Sequence, residues 1–188
     1  AASDVYKRQS YLRERGFSDE TIISFGLGYS SERIDHFYQK AIKSGYTEEY
    51  LVKSGLSIQS ERGAIHRFRG RVTFPIRSMA GRVQGFGGRI LSNTKKTAKY
   101  LNSPESEIYH KSQILYGIFE AKKAIAKEDV CYLVEGYTDV IQMFQKGINN
   151  VVSSSGTSLT PGQISLIRRL SSNIVVLFDG DAAGIRAS

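Results

Sequence analysis

The strongest constraint on the fold comes from residues 130–188, where apolar runs alternate with stretches of helical character. We predict three strands, which end at Val134, Ser153 and Phe178. The predicted helices span residues 138–145, follow the Thr160-Pro161 cap to about Leu170, and start again at Ala182. This β-α-β-α-β-α order predicts a parallel sheet with right-handed crossover connections.

Carboxylates follow two of these predicted strands at the point where each strand ends. Glu135 comes after the first strand, and Asp179 and Asp181 come after the third. Because ligands bind at the carboxyl ends of strands in open α/β sheets, we expect the three side chains to converge. Clustered carboxylates repel each other unless a cation lies between them, and hard oxygen ligands favour Mg²⁺ or Mn²⁺. The sequence therefore predicts a divalent-metal site at this edge.

The net charge of +8 is concentrated in the first part of the chain. Residues 1–111 contain 19 basic and 11 acidic residues, and the stretch from Arg62 to Lys99 contains ten basic residues and no acidic one. Most charge runs are solvated faces, but a long run of one sign is also typical of surfaces that bind polyanions. Beside a carboxylate cluster we interpret it as a surface for nucleic-acid or nucleotide phosphates, to which Arg67, Arg69, Arg71 and Arg77 belong.

The first part of the chain is predicted to be helical and then β-rich. Residues 1–9 show no apolar periodicity, and we interpret them as a non-native or disordered leader. Capping residues and glycine stops predict short helices as far as Gly55. Residues 72–76 and 83–87 predict a β-hairpin, and a helix over residues 114–127 is expected to link the two parts of the chain.

Glycines and aromatic residues accompany the predicted hairpin. Gly85, Gly87 and Gly88 would let a backbone or a phosphate approach closely. A loosened strand end is the more ordinary interpretation of the glycines alone, but Arg89 directly after them favours contact with a phosphate. Phe68 and Phe86 could stack on bases, but a core position is the more ordinary interpretation of both.

The sequence disfavours a zinc site, a membrane span and a signal peptide. The three histidines are scattered without metal-ligand spacing, which disfavours a zinc site, and Cys131 is predicted to be a buried apolar residue. The sequence contains no apolar run long enough for a membrane span and no signal-peptide pattern. These features predict a cytoplasmic protein without a membrane partner.

The motifs resemble a known family. Glu135-Gly136-Tyr137-x-Asp139 followed by Asp179-Gly180-Asp181 is similar to the TOPRIM domain shared by primases and topoisomerases. Further segments are similar to the catalytic core of bacterial DnaG-type DNA primase, namely Arg67-Phe68-Arg69-Gly70-Arg71-Val72-x-Phe74-Pro75-Ile76, Gly85-Phe86-Gly87-Gly88-Arg89, and Lys99-Tyr100-Leu101-Asn102-Ser103-Pro104 with His110-Lys111. The resemblance covers residues 11–188.

This resemblance implies a nucleotidyltransferase that synthesises RNA primers on single-stranded DNA from ribonucleoside triphosphates. It implies that Glu135, Asp179 and Asp181 are catalytic, that Asp139 is a further metal ligand or supporting residue, and that the metal is Mg²⁺ or Mn²⁺. It also implies that a second group of basic residues lines the groove beside the metal, namely Arg89, Lys99 and Lys111.

The resemblance also predicts the organisation of the chain. We expect an α+β N-terminal lobe over residues 10–113, with helices and an antiparallel hairpin, followed by an α/β parallel-sheet, Rossmann-like TOPRIM domain over residues 114–188. The family's zinc-binding domain, its downstream acidic element and its C-terminal domain for the replicative helicase are not in this sequence. We therefore expect a monomeric fragment with a truncated TOPRIM domain that is inactive alone.

Two other functions remain open from the sequence. One is a TOPRIM topoisomerase or nuclease, which the Arg-rich hairpin disfavours. The other is a non-catalytic module that binds single-stranded DNA or nucleotides and uses its acidic residues structurally. Metal-dependent primer synthesis would distinguish the primase from this module.

Overall fold

The computed structural model describes residues 11–33, 36–61, 63–91, 98–156 and 158–180. The chain divides into two compact units: the first contains residues 1–75 and 85–109, and the second contains residues 76–84 and 110–188. The predicted leader, residues 1–9, and the predicted metal ligand Asp181 lie outside the described residues. In the described part of the chain, no helix has the length and apolar character needed to cross a bilayer.

The first unit begins with short helices that end at glycines or serines. Helix α1 spans Asp19–Phe25, α2 spans His36–Lys43 and α3 spans Glu48–Lys53. Ser18 caps α1 by accepting a hydrogen bond from the Thr21 N–H at 3.2 Å, as the sequence predicts. The apolar side chains buried by these helices are Ile22, Phe25, Ala41 and Leu51.

An antiparallel sheet contains the predicted hairpin. The strands of the first part of the chain are β1 (Gly28–Ser30), β2 (Ser57–Ile58), β3 (Ile65–His66), β4 (Arg71–Arg77), β5 (Val83–Ile90) and β6 (Tyr100–Asn102). The main sheet has the order β1-β4-β5-β6, and β2 pairs separately with β3. The Ser78 N–H donates to the Arg82 carbonyl at 2.9 Å and closes the turn between β4 and β5, which confirms the hairpin.

The second unit contains a parallel sheet with helices between its strands. Its elements are α4 (Ile118–Glu128), β7 (Cys131–Val134), α5 (Tyr137–Gln145), β8 (Val151–Ser153), α6 (Pro161–Arg168) and β9 (Ile174–Leu177). Strand β7 is central, and both of its neighbours run parallel to it in the order β8-β7-β9. This confirms the predicted β-α-β-α-β order. Thr160 caps α6 in a capping box with Gln163, as its place before Pro161 predicts.

The predicted helix over residues 114–127 begins four residues earlier than the observed helix. Helix α4 starts only at Ile118, because Gly117 adopts a left-handed backbone conformation with φ +82°. The residue before it, Tyr116, forms an isolated antiparallel bridge with Ser153 at the end of β8. A Cβ at Gly117 would lie 2.7 Å from Val140 Cγ1, so a residue with a side chain would not fit.

The core of the second unit is formed by α4, the central strands and α6. Its buried members are Leu115, Ile118, Ala121, Ile125, Cys131, Leu133, Val152 and Ile167. Strand β9 differs from the prediction of a buried strand, because Val175, Val176 and Leu177 are 39–45% exposed. Among the described residues, β9 pairs with β7 on one side only, so it has the exposure of an edge strand.

Candidate active site

Two of the predicted metal ligands meet at the carboxyl ends of neighbouring strands. Glu135 follows β7 directly, and Asp179 lies two residues after β9. These strands pair in parallel register, with Val134 opposite Leu177. Glu135 Oε1 accepts a hydrogen bond from the Asp179 N–H at 2.9 Å, so the two residues lie side by side. Glu135 is half-buried and Asp179 is exposed.

Asp139 has a hydrogen-bonding role at the start of α5. Its Oδ2 accepts a hydrogen bond from the Gly136 N–H at 2.9 Å, and the negative charge lies in the first turn of the helix. Both features stabilise a helix N-terminus. A Cβ at Gly136 would approach Asp139 Oδ2 to 3.0 Å, so the glycine leaves room for this carboxylate.

A serine-rich segment after β8 is part of the same region, and the sequence analysis did not identify it. Ser153 Oγ donates to the Glu135 carbonyl at 2.6 Å, and it accepts a hydrogen bond from the Ser155 N–H at 2.9 Å. Ser155 and Gly156 both have positive φ, 58° and 86°. The run Ser153-Ser154-Ser155-Gly156 at the end of a predicted parallel strand was the available signal. The hydrogen bond from Ser153 holds the end of β8 against the backbone of Glu135.

Among the described residues, no cluster of three or more histidine, cysteine or acidic side chains could hold a metal. The third predicted ligand, Asp181, lies outside those residues. The Glu135 and Asp179 carboxylates nevertheless supply the hard oxygen donors that divalent cations such as Mg²⁺ prefer. One oxygen of Glu135 is used by the Asp179 N–H, and a carboxylate has a second oxygen that can bind a cation. This part of the donor set therefore fits a hard divalent cation.

Arg77 is part of a buried polar cluster in the second unit. Its guanidinium forms an ion pair with Glu120, whose side chain is 8% exposed. Burial and the nearby Glu120 carboxylate raise the pKa of the Tyr116 hydroxyl well above its ordinary value. Tyr116 also packs edge-on against Tyr137, with ring centroids 4.7 Å apart. The structure thus gives Arg77 a partner within the protein.

Arg71 is buried in the first unit, although it was predicted to bind phosphates. It is 4% exposed, and its guanidinium donates to the carbonyls of Gly88, Lys99 and Ala98 at 3.2, 3.4 and 3.1 Å. Burial lowers the pKa of this guanidinium below its ordinary value. Arg71 therefore holds the backbone after β5 in place, and the structure gives it a structural role.

The other predicted basic residues of the first unit differ in exposure. Arg69 and Lys99 are exposed, whereas Arg67 is half-buried and its Nε donates to the Asn102 carbonyl at 3.3 Å. Arg89 donates to the Tyr11 hydroxyl and lies over two aromatic rings, 4.7 Å from the Tyr11 centroid and 5.8 Å from the Tyr100 centroid. In the second unit, Lys111 is half-buried at the start of a 3₁₀ turn, Lys111–Gln113.

The glycines of β5 make room for side chains of the first unit. A Cβ at Gly85 would lie 2.7 Å from the Tyr109 ring, and a Cβ at Gly88 would lie 2.6 Å from the Phe68 ring. Phe68 is 1% exposed, which confirms its interpretation as a core residue, whereas Phe86 is half-buried. Close aromatic packing therefore explains Gly85 and Gly88.

Two family models match the chain. The model of the DNA primase catalytic core, N-terminal domain, matches residues 2–122. A Toprim-like model matches residues 132–188, which include Glu135 and Asp179.

Known proteins match nearly the whole chain. The DNA primase of Streptomyces coelicolor is 42% identical over 185 residues, 96% of this chain and 29% of that protein. The chain spans less than a third of the length of the curated relatives it matches.

Solved structures agree with this similarity. The RNA polymerase domain of Mycobacterium tuberculosis primase DnaG is 36% identical, with a TM-score of 0.91 over 98% of this chain and 62% of that one. A DnaG primase catalytic domain bound to single-stranded DNA is 42% identical, with a TM-score of 0.86 over 96% of this chain and 56% of that one.

Proposed function

The chain belongs to the bacterial DnaG-type DNA primase catalytic core family, and we propose that it contributes to RNA-primer synthesis on single-stranded DNA. In this reaction a 3′-hydroxyl attacks the α-phosphate of a ribonucleoside triphosphate, and pyrophosphate leaves. Negative charge develops on the transferred phosphate and on the leaving oxygens, so the site must supply positioning and positive charge.

The observation that carries this proposal is the meeting of Glu135 and Asp179 at one end of the parallel sheet. Their carboxylates belong to neighbouring strand ends and are held together by the bond from the Asp179 N–H to Glu135. We propose that both, together with Asp181, hold Mg²⁺ or Mn²⁺. When bound, the cation would neutralise the charge that develops on the phosphate oxygens. The Toprim-like match supports a divalent-metal site here.

The chain's own residues would orient this site. The Ser153 hydroxyl holds the Glu135 carbonyl, and the Asp139 carboxylate closes the first turn of α5 through the Gly136 N–H. Both hydrogen bonds hold the peptide group between Glu135 and Gly136, which restrains the backbone on the C-terminal side of Glu135. We propose that Asp139 supports the metal site through this turn.

We propose that exposed cations of the first unit bind the template. Arg69 and Lys99 are exposed, and Arg67 and Arg89 are held in place by contacts with Asn102 and Tyr11. In the second unit, Lys111 is proposed to contact nucleotide phosphates. A related catalytic domain has been solved with single-stranded DNA, which supports a single-stranded template as the partner.

Primer synthesis by site variants tests the proposal. The assay measures labelled RNA made on single-stranded DNA with Mg²⁺ or Mn²⁺ by a chain extended to the full catalytic core, since the fragment alone is expected to be inactive. Glu135→Gln should lower synthesis by about 10²-fold or more, because a carboxylate proposed to hold the cation is removed. Asp179→Asn should weaken Mn²⁺ binding as well as synthesis. The matched control is Glu128→Gln, an exposed carboxylate at the end of α4 that should leave both unchanged.

Binding of single-stranded DNA separates loss of chemistry from loss of folding. Glu135→Gln should bind the template as the unaltered protein does. Unchanged primer synthesis by Glu135→Gln would remove this residue from the active site, and metal-independent synthesis would contradict the proposed mechanism.

A further inference from the structure

A pocket in the first unit lies apart from the residues assigned to catalysis. Its volume is about 460 Å³, and it is bounded by β1, by the start of α2, and by residues of β3, β4 and β5. The walls are mainly aromatic: Phe37, His66, Phe68 and Phe86. A cavity of this size and character is typical of small-molecule sites, which range from about 300 to 1,000 Å³.

The aromatic wall of this pocket is ordered by stacking. The rings of Phe37 and His66 are nearly parallel at 24°, with centroids 4.1 Å apart, and Phe68 meets His66 edge-on at 6.1 Å. His66 Nδ1 lies 2.9 Å from the Leu56 carbonyl, which fixes the ring. Burial lowers the pKa of His66, so the ring is neutral at pH 7. Phe37 and Phe86 are half-buried, so they offer flat, uncharged surfaces on which another flat ring can stack.

A basic cleft adjoins this pocket. Its volume is about 440 Å³, and it shares His36 and Lys40 with the pocket while adding Arg33 and Lys43. Arg33 and Lys40 are exposed, and Lys40 and Lys43 lie in the last turn of α2. Among the described residues, no carboxylate forms a salt bridge with Arg33, Lys40 or Lys43. The nearby Glu32 accepts a hydrogen bond from Tyr29 at 3.4 Å.

We propose that the pocket and the adjoining cleft form one non-catalytic site for a free nucleoside polyphosphate. The base would stack in the aromatic pocket, and the phosphates would bind Arg33, Lys40 and Lys43. The cleft itself supplies three cationic side chains, so phosphates could bind there without a metal. This site is additional to the metal-dependent site proposed at Glu135.

Charge complementarity favours a free polyphosphate over one unit of a nucleic-acid strand. Three cations line a single cleft at one side of the pocket. A di- or triphosphate places several negative charges close together at one end of the nucleoside, which matches this arrangement. A nucleotide within a strand has one singly charged phosphate on each side. It would therefore leave most of the cations in the cleft without a partner.

Titration with ADP in EDTA tests the proposal, because EDTA removes the cations on which the Glu135 site depends. Isothermal titration calorimetry should detect binding by the unaltered protein. Lys40→Ala and Arg33→Ala should each weaken it about tenfold, because each removes a charge-assisted phosphate contact. Lys53→Ala is the matched control: it removes an exposed cation of α3 that lies outside both concavities, and it should change nothing. Glu135→Gln should also bind ADP normally in EDTA.

The position of the base is tested by NMR with labelled phenylalanine. Contacts between adenine protons and the rings of Phe37 or Phe86 are expected in the ADP complex. Absence of ADP binding in EDTA would overturn the proposal, and so would equal weakening by Lys53→Ala. A (dT)₁₂ strand that binds in a Lys40-dependent manner while ADP does not would assign the cleft to single-stranded DNA and would also overturn it.

Discussion

His66 illustrates how burial of one side chain links stability to pH. It is 6% exposed, and burial lowers its pKa from 6.5. The unfolded chain therefore binds a proton at a higher pH than the folded chain does. The contribution of His66 to the free energy of unfolding should be fully present above pH 6.5 and should fall as the pH drops from 6.5 towards the folded pKa. The slope in that window is at most about 1.4 kcal/mol per pH unit.

Urea unfolding at pH 7.5 and pH 5.5 measures this effect. His66→Gln is the control, since an amide can still donate to the Leu56 carbonyl but does not titrate. The variant should lose part of the pH dependence. An identical pH dependence in both proteins would show that His66 is not the group responsible.

Arg71 and Arg69 lie two residues apart and are expected to behave oppositely. Arg71→Ala removes a buried guanidinium that donates to three backbone carbonyls, and it should lower the free energy of unfolding by about 2–4 kcal/mol. Arg69→Ala removes an exposed side chain and should change that free energy by about 0.5 kcal/mol or less. Urea titrations of the two variants check this. Equal destabilisation by both would contradict the assignment of Arg71 as structural.

The sequence could not separate these two arginines. A run of ten basic residues without an acidic one predicts a positive surface, but it does not reveal which side chains turn inward. Arg71 is buried because three carbonyls of the β5–β6 region accept its hydrogen bonds, and those partners are 17 to 28 residues away in sequence. In contrast, Glu135 and Asp179 could be predicted, because each follows an apolar run and parallel strands end at one edge.

At the scale of elements, Gly117 decides where α4 begins. Its φ of +82° and the nearby Val140 leave no room for a side chain. Gly117→Ala should destabilise the protein by about 2–4 kcal/mol, through left-handed strain plus overpacking. Gly147→Ala is the matched control: its φ is +88°, but a Cβ there would have no neighbour within 4 Å. That variant should lose only about 1–2 kcal/mol.

Thermal unfolding of the two glycine variants checks the difference. Equal losses of stability in the two variants would show that the close contact between the new Cβ and Val140 does not destabilise the protein. The sequence did not predict this boundary, because residues 114–116 are apolar and have the spacing of the helix that follows. The pairing of Tyr116 with Ser153, 37 positions later, ends that pattern, and periodicity does not report such a contact.

At the scale of the whole molecule, the net positive charge lies in residues 1–111, because basic and acidic residues balance in residues 112–188. We therefore expect added salt to weaken the binding of single-stranded DNA, because cations of the first unit neutralise its phosphates. Replacing Arg69 and Lys99 together with alanine should reduce the magnitude of the salt slope by about 0.7 for each phosphate that the protein no longer neutralises. Replacing Lys123 and Lys127, exposed on α4, is the control and should leave the slope unchanged. Fluorescence anisotropy over a salt range of about 50 to 300 mM, across which screening strengthens, measures both.

The architecture of the second unit could be predicted more fully than that of the first. Its order of strands and helices imposes a parallel sheet, and Thr160 and Pro161 mark the start of a helix. The first unit combines short helices with a four-stranded sheet in which β1 pairs with β4, 43 residues apart. Local patterns predicted the β4–β5 hairpin but contained no signal for that distant pairing.

Cys131 opens β7, the strand that ends directly before Glu135, and its side chain is completely buried. Burial raises its pKa to about 12, and the thiolate is the form that reacts with alkylating reagents. It is also the sequence's single cysteine, so the rate of alkylation reports directly on exposure of the central strand. A cation that binds only the folded strand ends should slow this reaction in proportion to its occupancy. The rate of Cys131 alkylation therefore measures metal binding in the absence of template and nucleotide.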